Sequence, residues 1–312
     1  MINDLVMGRL GNQMFQYAAM RCIQEKYYQD EIINMNFDTV RVLGKKEDGF
    51  DNQLTMFRLN EKKIVFDKNI IMSKSQKIIY YKHSIISKLI RIFFGKKNFE
   101  KKKKKYELKI QKKYNKRGLF IFNYGYYSFP KVNIENKIFK GYFESANYFN
   151  DIKNLLFIEL SPKYEKLDKN INLYKYIENN ESVCISIRRG DFLANEHKKD
   201  CFICDNNYFY KAISEIKKRL ANPKFIVFSD DVEWCKNNMN FPSDTRFEDG
   251  NDPLWEKMRL MYSCKNFIIS NSTFSWWAQY LSRNDNKIVI APKKWRNNNY
   301  VSDIYEKNWI LI

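Results

Sequence analysis

The decapeptide Val183-Cys-Ile-Ser-Ile-Arg-Arg-Gly-Asp-Phe192 sets two arginines, a glycine and an aspartate at the end of a short apolar run. An apolar run bounded by glycine and charge is the pattern of a strand buried on both faces. Arg188 and Arg189 then stand at the strand's carboxyl end, where open α/β sheets take their ligands. Two guanidiniums there suit a diphosphate, because each offers a planar fork of donors and keeps its charge. Gly190 lets the backbone turn, and Asp191 can orient one arginine or act as a base. A surface loop with a chance arginine pair is the competing explanation of the decapeptide taken alone.

Five further stretches carry chemistry. The stretch Leu5-Val-Met-Gly8-Arg-Leu-Gly11-Asn12 runs from a short strand through a glycine loop into a helix. Gly8, Gly11 and Asn12 then sit where backbone N–H groups can meet an anion, with Asn12 and Gln13 adding polar reach. The third glycine of a dinucleotide fingerprint is absent, and a plain tight turn explains the loop equally well. Glu144 ends a strand expected over Ile138–Phe143, as a candidate acid or base or as a helix-start carboxylate on the macrodipole. Asp230 and Asp231 end Phe225-Ile-Val-Phe228, and Asp249 and Asp252 follow Thr245-Arg-Phe247. Asn271, Ser272, Thr273 and Ser275 open a helix expected over 274–283. Hydroxyls and amides at that helix start, together with two arginines, make a diphosphate site. The acids can bind ribose hydroxyls or a purine edge, while Asp230 and Asp231 equally suit a divalent cation. No Walker A lysine loop accompanies them, which disfavours ATP hydrolysis.

The elements that must position these groups follow a regular order. Strand 183–187, helix 206–220, strand 225–228, helix 231–238 and strand 245–247 come first. A helix to about 263, strand 267–270, the helix to about 283 and strand 288–291 complete the series. Strands alternating with helices predict a parallel, doubly wound sheet, and right-handed crossovers put all the strand-end clusters on one edge. A second strand is expected at 31–37. The domain boundary is expected within 155–180, near Ser161-Pro162, dividing the chain into 1–165 and 166–312.

Composition bounds the rest. With 312 residues, 44% hydrophobic and 16% aromatic, the chain can fill two domain cores. No run approaches the ~20 apolar residues of a membrane span, and Met-Ile-Asn-Asp-Leu-Val is no secretory signal, so a cytoplasmic protein is expected. Cys201-Phe-Ile-Cys204 is a lone CxxC, and with only His83 and His197 a zinc site is disfavoured.

The net charge of +19 is concentrated: residues 74–117 hold 17 Lys and Arg against Glu100 and Glu107. A helix-periodic segment, Ile78–Phe94, precedes the lysine-rich run 96–117. That pairing, across 78–117, fits a peripheral contact with an anionic membrane, or else a packed helix followed by a solvated loop. Nucleic-acid binding is disfavoured, since no recognition motif accompanies the charge.

Five segments in order resemble the α-1,2-fucosyltransferases of glycosyltransferase family 11. They are Gly8-Arg-Leu-Gly-Asn-Gln-Met-Phe-Gln-Tyr17, Gly141-Tyr-Phe-Glu-Ser145, Ile187-Arg-Arg-Gly-Asp191, Phe228-Ser-Asp-Asp231 and Asn271-Ser-Thr-Phe-Ser-Trp-Trp277. The resemblance implies a GT-B-like fold, two Rossmann-like domains facing a cleft, with an N-terminal acceptor side and a C-terminal donor side. It implies inverting transfer of L-fucose from GDP-β-L-fucose to a galactose 2-hydroxyl, with no metal and no cofactor. Its HxRRGD motif, which binds the donor diphosphate, carries over to Arg188, Arg189, Gly190 and Asp191. The Gly8–Asn12 loop is expected to approach the sugar and phosphate from the other domain. The expected catalytic set is Arg188 and Asn12 on the leaving group and sugar, and Asp191, then Glu144, as base. The acceptor would be a galactose-terminated surface glycan or a lipid-linked O-antigen repeat. A transferase for another nucleotide sugar would share every diphosphate feature. Two departures stand out: Ser186 replaces the motif's histidine, and the lysine-rich insertion has no counterpart in the pattern.

Overall fold

The computed structural model describes residues 1–45, 49–193 and 195–312; of Asp191 and of 195–197 it describes the backbone alone. The chain forms two units, Met1–Leu160 with Asn298–Tyr305, and Ser161–Asn297 with Glu306–Ile312. The division thus falls at 160/161, not 165/166, and a C-terminal segment returns to the first unit.

The first unit contains β1 (Ile2–Leu5), α1 (Leu10–Tyr27), β2 (Ile33–Asn36), α2 (Asp38–Gly44), β3 (Ile64–Phe66) and α3 (Lys74–Asn115). β4 (Leu119–Ile121), β5 (Lys137–Lys140) and α4 (Lys153–Glu159) follow. Its sheet runs β3-β2-β1-β5-β4 with every pair parallel. The direction of winding reverses between β1 and β5, and the carboxyl ends of such a pair are where ligands bind in open sheets.

α3 corrects the expectation of one amphipathic helix followed by a solvated loop. Gly95, at φ 64°, breaks it, and the lysine-rich half is helical as well. Lys, Glu and Gln are good helix formers, so a run of lysines with two acids is not obliged to be loop. The halves fold back on each other: His83 Nε2 meets Glu107 Oε1 at 3.1 Å, and the Arg91 guanidinium lies 5.9 Å from the Phe99 ring centre. Ser73 and Gln76 form a capping box at the start of α3. Ile79, Tyr80 and Ile110 of the hairpin pack on Leu119, Ile121 and Ile138, which fixes it to the sheet.

The second unit contains α5 (Ile171–Asn179), β6 (Glu181–Ile187), α6 (Asn195–Cys201), α7 (Asn206–Lys217), β7 (Pro223–Ser229) and α8 (Val232–Asn238). β8 (Arg246–Phe247), α9 (Leu254–Ser263), β9 (Asn266–Ile269), α10 (Thr273–Leu281), β10 (Val289–Ala291) and β11 (Ile310–Leu311) complete it. The sheet order is β11-β10-β9-β6-β7-β8, all parallel. This is the doubly wound arrangement, with its switch point between β6 and β9.

β6 is buried on both faces, as the apolar run predicts: Val183, Cys184 and Ile185 are 0% exposed. Asp205 caps α7 by accepting from the Tyr208 N–H, and Phe209, Ala212, Ile213 and Ile216 recur at helical spacing to bury one face. That face meets Val183, Ile185, Phe225, Val227 and Ile268 in one core. Each fully buried aliphatic side chain contributes about 1.5–3 kcal/mol, so this layer holds the strand ends in place.

Candidate active site

In the second unit the switch point is lined by two loops of the sequence clusters. β6 ends at Ile187 and delivers Arg188, Arg189 and Gly190; β9 ends at Ile269 and delivers Ser270, Asn271 and Ser272 to the start of α10. β6 and β9 are paired neighbours, so the arginines and the helix start share one edge.

Asp230, just past β7, organises the arginine loop. Its Oδ2 lies 2.8 Å from Nη1 of Arg188, and its Oδ1 accepts the Arg189 main-chain N–H at 2.9 Å. A Cβ on residue 190 would stand 2.6 Å from Asp230 Oδ2. A side chain at 190 would therefore press on the Asp230 carboxylate, where the sequence suggests a sharp turn. The two arginines differ. Arg188 keeps 30% of its side chain exposed. Arg189 stacks on Trp234, its guanidinium carbon 3.1 Å from the ring centre, and its Nε reaches Asp231 Oδ2 at 3.3 Å. Asp231 also caps α8 through the Trp234 N–H. Asp230 and Asp231 thus hold the two arginines and the start of α8. Asp191 begins a short turn, 191–193, and its carboxylate lies outside the described atoms.

The α10 start is uncapped: Ser272 makes no side-chain bond to the helix amides. The first-turn N–H groups of an α-helix have no acceptor behind them, so this end offers donors and the positive pole of the dipole. Beneath it lies a hydroxyl cluster. Ser275 Oγ is 2.6 Å from Ser186 Oγ and 3.3 Å from Ser270 Oγ, and both Ser186 and Ser275 are buried. Ser186 thereby ties β6 to α10. Asn271 is structural: its amide donates to the carbonyls of Cys201 and Trp295 at 2.9 and 3.0 Å. Thr273 opens the helix, and Trp276 and Trp277 fill the core.

Asp249 and Asp252 follow β8, two strands out from β6, roughly 10 Å by the usual strand spacing. Both meet Lys169, at 2.5 and 2.7 Å, and Asp252 also accepts from Asn170 at 2.8 Å. The Lys169 hydrogen bond holds Asp249 below its usual carboxylate range. Glu248 completes a group of three carboxylates. Burial pushes Glu248 up; Lys257 Nζ lies 3.2 Å from Oε2, but the contact lacks hydrogen-bond geometry, so desolvation prevails. Lys169 and Lys257 thus lie against this carboxylate group.

In the first unit the β1–β5 reversal brings two other motifs to one edge. Gly8 adopts φ 79°, a conformation that favours glycine, with the Asn12 side chain against its Cα. Gln13 and Gln16 clamp the loop. Gln13 Nε2 donates to the Gly8 and Asp51 carbonyls at 3.0 and 2.7 Å, and Gln16 bonds both the N–H and the carbonyl of Met7. Gln13 thus points inward, where the sequence suggests reach toward a ligand. The Leu10 N–H is taken by Gln53 Oε1 at 2.9 Å, so the α1 start is partly filled by the protein itself. Gly11 is buried in the first turn, while Asn12 Oδ1 is buried with no hydrogen-bond partner among the described residues.

Glu144 follows β5 and Phe143, which holds φ 51° although it is bulky and 1% exposed. A buried aromatic in that conformation is strained and needs its surroundings to hold it there. Its neighbours do so: the Tyr148 ring lies 5.3 Å away. Only a short turn, Ala146–Tyr148, follows Glu144, so no long helix dipole accounts for the carboxylate. Glu144 is half-buried, near the raised Tyr300 phenol.

Trp234 and the bonds that join Ser186, Ser270 and Ser275 were not legible in the sequence, which offers Gln13 and Ser275 only as ligand-facing groups. The spacing of Trp234 from Asp231, one helical turn, is the signal that could have found the arginine shelf.

The profile of "Glycosyl transferase family 11" matches residues 1–312. The chain is 30% identical to "O-antigen biosynthesis glycosyltransferase WbnK" of Escherichia coli over 97% of each chain. It is 30% identical to "Alpha-1,2-colitosyltransferase" of Escherichia coli, over 92% of this chain and 90% of that one. Over 33% of its length, and 29% of the relative's, it is 32% identical to human "Galactoside alpha-(1,2)-fucosyltransferase 1".

Proposed function

The chain belongs to glycosyltransferase family 11, and from that premise we propose that it is an inverting α-1,2-fucosyltransferase. It moves L-fucose from GDP-β-L-fucose to the 2-hydroxyl of a galactose in a surface glycan or lipid-linked O-antigen repeat. It acts in the cytoplasm, at the inner face of the membrane. The observation that carries the donor chemistry is Arg188, held by Asp230 beside the uncapped start of α10.

In the transfer, the bond between the fucose anomeric carbon and the GDP β-phosphate oxygen breaks. A bond from that carbon to the galactose O2 forms on the opposite face. Negative charge grows on the leaving diphosphate while the sugar becomes oxocarbenium-like. Arg188 and the α10 amides, with the Thr273 and Ser272 hydroxyls, stabilise that charge where other enzymes place a metal ion. Asp249, 47% exposed in its side chain, is the acid of its pair that can meet a ribose hydroxyl. The proton from the galactose hydroxyl leaves to Asp191.

A second reading keeps every one of these groups and changes the sugar: a colitosyl donor, favoured by the likeness to the colitosyltransferase over nearly the whole chain. The deciding experiment is turnover of a panel of nucleotide sugars in EDTA, with lactose or N-acetyllactosamine as acceptor. GDP release from GDP-fucose alone, undiminished by chelation, supports the reading. Selective use of a colitosyl donor replaces the sugar assignment, and dependence on a divalent ion overturns the metal-free step.

A further inference from the structure

The first half of α3 carries apolar residues on two faces, and only one of them is covered. Ile79 and Tyr80 pack on the sheet side. On the opposite side Ile78, Tyr81, Ile85, Leu89, Ile92 and Phe93 are exposed, Ile92 and Phe93 by 74% and 76%. Their spacing, three, four, four, three and one residues, keeps them on one stripe of the helix. The stripe is about 22 Å long at the usual helical rise. A continuous exposed apolar stripe of this kind marks an interaction surface.

The charge around the stripe says what covers it. Lys74, Lys77, Lys82 and Lys88 are exposed and flank it along the same helix. From Lys68 to Phe99 there is no Asp or Glu. The two acids of the hairpin, Glu100 and Glu107, are both buried, and Glu107 is spent on His83 and Asn123. The exposed charge of the hairpin is therefore positive throughout. A second copy of this chain would set one lysine-bordered stripe against another, a like-charge juxtaposition that costs affinity. An anionic lipid surface satisfies both parts, taking apolar side chains at the headgroup boundary and lysines against phosphate. No helix among the described residues is long and apolar enough to cross a membrane, so the contact lies on the surface.

We propose that the outer face of the 74–94 half of α3 docks on an anionic bilayer, with Ile85, Leu89, Ile92 and Phe93 inserted and the flanking lysines on lipid phosphates. This goes beyond the transferase reading and stands whichever sugar is transferred. The test is co-sedimentation of the full chain with vesicles of phosphatidylcholine, with and without phosphatidylglycerol. The full chain should sediment with the anionic vesicles, less so as salt rises. A variant with Ile85→Ser, Ile92→Ser and Phe93→Ser should lose at least about tenfold in partitioning, given three buried apolar side chains removed. Its circular dichroism and its turnover of a soluble acceptor should stay unchanged. A second variant, Lys82→Glu with Lys88→Glu, should lose binding to anionic vesicles while keeping the apolar stripe. Absence of sedimentation, or equal binding by the serine variant, overturns the proposal. So does a dimer, seen by light scattering, that the serine variant converts to monomer, since the stripe would then join copies of this chain.

Discussion

The Arg188 guanidinium is held by Asp230, Nη1 to Oδ2 at 2.8 Å, and the same carboxylate grips the main-chain N–H of Arg189. A cation so oriented meets a developing phosphate charge without first having to reorganise. Arg188→Ala should lower kcat by about 10²–10³ with the fold intact by circular dichroism, and Arg188→Lys should not restore it, since an ammonium lacks the planar fork. Asp230→Ala should cost up to about 10² by misplacing the same group. Retention of a tenth of the activity by Arg188→Ala would remove the role.

Gly190 offers a subtler version of the same test. A methyl group at this position would press on Asp230 from 2.6 Å and drive the carboxylate from Arg188. Gly190→Ala should therefore behave like Asp230→Ala in kcat/KM for the donor, although no donor-binding group has been deleted. Steady-state kinetics on the three variants decide it. Normal kinetics in Gly190→Ala would mean that the Arg188–Asp230 pair has slack.

Much of the second unit was legible because alternating apolar runs and helical spacing are local properties. Strand 183–187, the β7 strand and the α10 start lie within a few residues of where the pattern puts them. The first unit was harder. Its strands β3 and β4 are three residues each, too short for periodicity to register. The 74–117 hairpin misled for a different reason. Both faces of its first half are apolar, so one helical period could not say which face is inside, and a single Gly95 turn gave no hint that lysines would be helical. Among site residues, charges at strand ends could be placed by topology, but the partners each would take could not. That Asp230 takes Arg188 and the Arg189 main chain while Asp231 takes the Arg189 side chain is settled by tertiary contacts.

Ser186 stands where the resemblance in sequence implies a histidine, and it is buried at the β6–α10 contact. Its hydroxyl meets Ser275 Oγ at 2.6 Å in a region where both residues are buried. Ser186→His should destabilise the chain by about 1–3 kcal/mol through overpacking. Ser186→Ala should cost about 1 kcal/mol for the lost hydrogen bond, more if Ser275 is left unpaired. Urea denaturation measures both. A stable, active Ser186→His variant would show that the site accepts the family's imidazole and that the serine pair is incidental.

The proposed base rests on Asp191, with Glu144 behind it. Asp191→Asn keeps shape and removes the basic form, and a positioned base contributes typically about 10²–10⁴ to rate. The expected result is a fall of that size in kcat for Asp191→Asn with KM for the donor little changed. Glu144→Gln should then stay near normal. The reverse pattern transfers the role to Glu144, on its strained turn after Phe143. Near-normal kcat in both variants would mean that the proton leaves to water after a dissociative step.

Asp4 predicts a pH dependence of stability unconnected with catalysis. It is fully buried in β1, and neither carboxylate oxygen has a hydrogen-bond partner among the described residues. Desolvation raises its pKa well above the usual 3.8, so the folded chain holds this proton more tightly than the unfolded one. Stability must then fall as pH rises, from the unfolded value of 3.8 up to the folded one, and level off above it. Asp4→Val removes the term, so it should be more stable than the parent at neutral pH. Within the window the difference should grow by about 1.4 kcal/mol per pH unit, and below 3.8 the term should vanish. Paired urea titrations of the parent and Asp4→Val across that range make the check. A difference that does not vary with pH would mean that the Asp4 carboxylate is solvated or paired in the folded chain.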